Sequence, residues 1–99
     1  MKETNYHILK ALKHNGKVDT LLLEPRPGLD AAIVGTRLRK ATGLLHLVYD
    51  VDLLARAFMA ADGMDAEEAY EWISYNTERA LPYAAGPDVA EPVLRHRRN

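Results

Sequence analysis

The sequence predicts an α+β fold: a small antiparallel sheet of two or three strands, covered by a helical hairpin, with an extra N-terminal helix. Three observations carry this expectation. Residues 49–83 read as helix, glycine stop, capped start, helix and proline stop. Residues 31–49 hold two runs of strand-forming side chains parted by Gly43. Residues 4–16 hold a short apolar period closed by another glycine. The 99 residues fit one domain. They divide into an N-terminal helix (1–17), a strand region and hairpin (18–49), the helical hairpin (50–82), and a loop with a candidate edge strand and a basic tail (83–99).

Thr4 or Asn5 can cap the first helix, which carries Ile8, Leu9 and Leu12, and Gly16 is placed to stop it. So short a helix is marginal alone and must dock on something. Val18 to Glu24, with three consecutive leucines, reads as a strand or a buried extended segment, after which Pro25, Pro27 and Gly28 force a turn. Ala31–Arg39 and Leu44–Tyr49 form the antiparallel pair, with Gly43 supplying the positive φ of the loop. Strict alternation puts Ile33, Gly35, Arg37 and Arg39 on one face and Val34, Thr36 and Leu38 on the other. Gly35 within the strand marks a bulge or the close approach of a ring, for which Trp72 is the candidate.

The helical hairpin has the strongest local logic. Asp50 or Asp52 caps its first helix, and Val51, Leu54, Ala55 and Phe58 follow the i, i+3, i+4, i+7 spacing of a buried stripe. Gly63 suits a left-handed helix end, and Asp65 with Glu68 resembles a capping box with Asp at the cap. A regular second helix would present Ala69, Trp72, Ile73, Asn76 and Ala80 on one face, with Glu67, Glu71, Ser74 and Glu78 mainly opposite. On that reading Trp72 anchors the core, and the Asn76 amide satisfies a strand-edge backbone group beneath the helix or the chain leaving it at Leu81. Pro82 ends it, and Pro92–Arg95 forms a last short strand beside the hairpin.

Charge is unevenly shared although the formal net value is −1. Residues 1–49 hold eight Lys and Arg against four Asp and Glu, and residues 50–78 hold one against eight. The helical hairpin is thus an acidic module in a mildly basic frame. The absence of cysteine excludes disulfides, thiolate nucleophiles and zinc–sulfur sites. No apolar run matches a signal peptide or a membrane span, which points to a cytoplasmic protein with no membrane partner.

The segments LLLEPRPGLDAAIVG (Leu21–Gly35), VYDVDLLARAF (Val48–Phe58), DGMDAEEAYEWISYNT (Asp62–Thr77) and EPV (Glu91–Val93) share a pattern. It resembles that of small uncharacterised bacteriophage and prophage proteins: an LEPR lead, a D-x-A-x-x-G strand, a YD helix, a GM-x-x-EEA-x-E-W helix ending in N-T, and a final P-V strand. The resemblance implies a bacterial host cytoplasm and a compact α+β domain. It brings no catalytic residues.

Constellations for chemistry are weak. His7 and His14 lie two helical turns apart with Ala11 between them, too far for one metal. His46 sits among strand apolars and reads as a structurally satisfied histidine. Asp50 and Asp52 read as caps, and no phosphate-binding glycine loop or nucleophile elbow occurs. No catalytic, cofactor-binding or metal-ligating residue is therefore assigned, and an enzyme ranks last among the expectations. The leading one is a non-enzymatic interaction protein whose acidic helix face, Glu67, Tyr70, Glu71, Tyr75 and Glu78, docks a basic host protein, with a homodimer as a second association. The other is a nucleic-acid-binding or regulatory module using Arg37, Arg39, Lys40, Arg95, Arg97 and Arg98, disfavoured because aromatic interleaving is missing.

Overall fold

In the computed structural model, residues 3–24, 26–78 and 89–96 are described, apart from the side chains of Glu3, Thr4 and Glu78. The architecture is α+β, as the sequence predicts. Helix α1 (Glu3–Asn15) ends at Gly16, whose φ of +60° lets its N–H reach the Leu12 carbonyl at 3.1 Å. Its buried line is Ile8, Ala11 and Asn15, not Ile8, Leu9 and Leu12. Leu9 and Leu12 are exposed, because the rotation of α1 is set by Asn15, whose amide makes three buried hydrogen bonds.

Of the segment Val18–Glu24, only β1 (Asp19–Thr20) is a strand. It pairs in parallel with β4 (Val89–Ala90). Leu22 and Leu23 are partly buried and pack against the core. A 3₁₀ turn over Gly28–Ala32 then places Leu29 and Ala32 inside, so the strand predicted from Ala31 begins only at Ile33.

Strands β2 (Ile33–Arg39) and β3 (Leu44–Asp50) pair antiparallel. Gly43, at φ +74°, donates its N–H to the Arg39 carbonyl at 2.8 Å to close the loop. The register slips between Ile33 and Gly35, a bulge that gives one strand an extra residue. Strict alternation would put Ile33 beside Arg37 and Arg39, whereas the slip turns it into the core at 4% exposure. Among the described residues, nothing lies within 4 Å of where a Gly35 Cβ would stand. Gly35 therefore marks the bulge, and the expected approach of Trp72 does not occur.

Strand β5 (Val93–Arg95) adds to the other side of β3, giving the order β2-β3-β5. It runs parallel to β3, which needs the chain to cross back over the sheet. The helical hairpin lies within that crossover.

Helix α2 (Val51–Asp62) follows β3 directly, capped by Asp50, whose carboxylate accepts the Leu53 N–H at 3.1 Å. It buries Val51, Leu54, Ala55 and Phe58, the stripe predicted from spacing. Gly63 at φ +70° ends it, donating its N–H to the Met59 carbonyl. The helix α3 (Ala66–Trp72) opens with both halves of the capping box: Glu68 N–H to Asp65 at 2.9 Å and Asp65 N–H to Glu68 at 3.1 Å. Leu45, Leu47 and Tyr49 of β3 meet α1, α2 and α3 in one core cluster with Ile8, Ala11, Leu54, Phe58, Ala69 and Ile73.

Candidate functional site

The second hairpin helix does not stay regular. From Ile73 to Glu78 it continues as a π-helix, which takes more residues per turn than an α-helix. A 3.6-residue period stacks Ala69, Trp72, Ile73 and Asn76, but the wider turn swings the residues after Ile73 out of that line. Ala69 and Ile73 are fully buried, whereas Trp72 is 45% exposed and Asn76 is exposed. The Trp72 ring lies tilted against that of Phe58, with ring centroids 6.5 Å apart. Two expectations fall here: Trp72 is not the core anchor, and Asn76 does not satisfy a group beneath the helix. Ile73 fills that place.

A groove of about 390 Å³ is lined by Met64, Glu68, Glu71 and Trp72 together with the displaced Tyr75 and Asn76. Its lining combines two aromatic rings and a thioether with two carboxylates. Tyr75 is 58% exposed, and Glu67 and Glu71 face solvent. Of the predicted docking residues, the fold brings Glu71 and Tyr75 into one groove and leaves Glu67 exposed on the same helix.

Tyr70 belongs elsewhere. Its hydroxyl donates to the Asp52 carboxylate, at a second depression of about 400 Å³ between the two hairpin helices, lined by residues including Asp52, Arg56, Met59 and Ala66. That hydrogen bond, followed by partial burial, raises the Tyr70 pKa above 10.0. The Glu78 side chain lies outside the described residues. The spacing argument missed Met64, Glu68, Trp72 and Asn76. Glu68 was already visible as a capping residue, but no residue pattern signalled the π turn that exposes Asn76, or that Trp72 before it lies at the edge of the buried face.

The basic set predicted for nucleic acid is divided. Arg39 pairs with Glu91 at 2.8 Å, and Arg95 pairs with the fully buried Asp50 at 3.4 Å. Arg37 and Lys40 are exposed, while Arg97 and Arg98 lie outside the described residues. His46 is buried, with Nδ1 2.7 Å from the Glu91 carbonyl. Because a carbonyl only accepts, Nδ1 carries a hydrogen, and Nε2 is buried with no hydrogen-bond partner among the described residues.

The LEPR lead also has a structural role. Arg26 grips Asp30 through Nε and Nη2 at 2.9 and 3.0 Å, and this hydrogen bond holds the guanidinium still more firmly protonated. Nearby, the fully buried Tyr49 hydroxyl accepts the Leu23 N–H at 3.0 Å, so the lead segment is tied to β3.

No family model, no curated protein and no solved structure matches the chain. Among the described residues, no group of His, Asp and Glu is arranged to hold a metal ion, and no helix is long and apolar enough to cross a membrane.

Proposed function

We propose that the chain is a non-enzymatic interaction protein of the bacteriophage or prophage type, acting in a bacterial cytoplasm. It would dock a basic surface of a host protein on the outer face of α3 and its π-helical extension. The single observation behind this reading is the groove in which half-exposed Trp72 and Tyr75 lie beside Glu68 and Glu71. Aromatic residues are enriched among interface anchors, and carboxylates at the rim select a cationic partner. The excess of acidic residues over residues 50–78 extends that selection over a longer range than one groove. It matches the charge that proteins handling nucleic acid are built to receive, so such a host protein, defence complexes included, is the class of target proposed. The phage resemblance supports the origin and nothing finer.

The test is capture from a bacterial lysate with the wild-type chain and a Glu67/Glu71/Glu78→Gln triple variant. The wild type should retain a basic host protein, the variant should lose it, and both should melt at similar temperatures. Equal retention by the variant defeats the proposal.

A further inference from the structure

The outer edge of β2 carries a second surface, independent of the acidic face. Asn15 accepts the Leu45 N–H and donates to the Leu45 carbonyl, both at 2.8 Å. The Leu45 N–H and C=O are thus taken up by Asn15 and not by Leu38 of β2, so both are turned away from β2. In an antiparallel pair, opposed residues either face one another with their backbone groups or both turn away, in alternation. Leu45 is opposite Leu38, so the N–H and C=O of Leu38 point outward from the sheet. The register is regular from Gly35 to Arg39, so those of Thr36 do the same. Among the described residues no strand pairs with this edge.

Side chains along the edge alternate in a way that selects an occupant. Leu38 is 52% exposed on the face that carries α1, since its partner Leu45 belongs to the core cluster. Arg37 and Arg39 project on the opposite face. An incoming antiparallel strand bonded to Thr36 and Leu38 would set one residue directly opposite Arg37, in the close, non-hydrogen-bonded kind of pair where side-chain charge counts most. A second copy of β2 is a poor occupant. Pairing Thr36 with Leu38 of the copy sets Arg37 against Arg37, and pairing Leu38 with Leu38 sets Arg37 against Arg39. Pairing Thr36 with Thr36 still gathers four arginines on one face. Edge cations of this sort discourage self-pairing.

We propose that the β2 edge binds an extended acidic segment of a partner protein by strand addition. The segment carries carboxylates alternating with apolar side chains: apolar opposite Thr36 and Leu38, acidic opposite Arg37 and Arg39. Main-chain bonds to Thr36 and Leu38 supply register, and Arg37, which makes no ion pair among the described residues, supplies sign selectivity.

The test titrates the isotope-labelled full chain with a short acetylated and amidated peptide containing Glu-Val-Glu-Val, following backbone amide shifts and exchange. The amides of Thr36 and Leu38 should shift and exchange more slowly. Arg37→Glu should weaken binding about tenfold, as a cross-strand attraction becomes a repulsion. Leu38→Pro, which removes an outward N–H, should abolish binding with an unchanged circular dichroism spectrum. If that variant fails to fold, a backbone N-methylated peptide offered to the wild-type chain replaces it and should not bind. Unperturbed Thr36 and Leu38 amides overturn the proposal, as does equal affinity for a Lys-Val-Lys-Val peptide. So does displacement of the peptide from Arg37 by a single-stranded oligonucleotide that binds more tightly and with steep salt dependence. Dimerisation through β2 in sedimentation, seen without peptide, overturns it in favour of self-pairing.

Discussion

The side-chain amide of Asn15 pairs with both backbone groups of Leu45, as a neighbouring strand would. A single helical residue thereby covers the stretch of β3 that lies beyond the reach of β5, and a third hydrogen bond to Thr20 Oγ1 ties β1 to the same point. Asn15→Ala leaves the Leu45 N–H and C=O buried without partners. Each unsatisfied group costs about 1–3 kcal/mol, so a loss of roughly 2–6 kcal/mol is expected in urea denaturation. Asn15→Asp keeps the acceptor for the Leu45 N–H and, once its carboxyl is protonated, has one O–H to donate where the amide had two, so it should fall between wild type and Asn15→Ala.

The turn between the hairpin helices makes local demands of two residues. Gly63 sits at φ +70°, where a Cβ costs about 1 kcal/mol even though the space around it is open. Asp65→Ala removes one half of the capping box and should cost about 1 kcal/mol. Chemical denaturation of Gly63→Ala and Asp65→Ala checks both.

The π-helical stretch separates two residues that a regular helix would bury together. Ile73→Ala should cost about 2–5 kcal/mol because it empties a fully buried site. Asn76→Leu, at an exposed position, should change stability by no more than about 0.5 kcal/mol. A large loss in Asn76→Leu would mean that the second helix keeps its 3.6-residue period.

Two tyrosines make the fold sensitive to alkali. Burial raises the Tyr49 pKa and the bond to Asp52 raises that of Tyr70, each above 10.0. The folded chain therefore holds these protons more tightly than the unfolded chain. Their contribution is intact below pH 10 and is lost as pH rises through the raised folded values. Melts across the alkaline range should show falling stability, with a shallower fall in Tyr49→Phe and in Tyr70→Phe.

Much of the fold was legible because its signals are local. Asp50, Gly63, Asp65 and Glu68 cap or stop helices through groups within a few residues of themselves, and the Val51–Leu54–Ala55–Phe58 stripe follows helical spacing directly. Long-range facts were not legible. That Asn15 would replace a strand at Leu45, that β4 would join β1, and that β5 would run parallel to β3 each depend on how distant segments meet. The bulge at Ile33–Gly35 flipped one strand residue between faces, the π turn carried Asn76 out of the buried line, and Trp72, just before that turn, sits at the margin of the buried face. For the candidate site, the acidic residues and Tyr75 of the second hairpin helix were readable as an exposed face, and the half-exposed Trp72 beside them was not.

Trp72 is the one tryptophan of the chain and lines the groove, so its fluorescence reports directly on occupation. Titration with a lysine-rich amphipathic helical peptide should give a saturable change in emission, weakened by salt and reduced about tenfold or more in affinity by Glu67/Glu71/Glu78→Gln. Emission that does not respond, or an affinity unchanged in the triple variant, would contradict the assignment of this face as the docking surface.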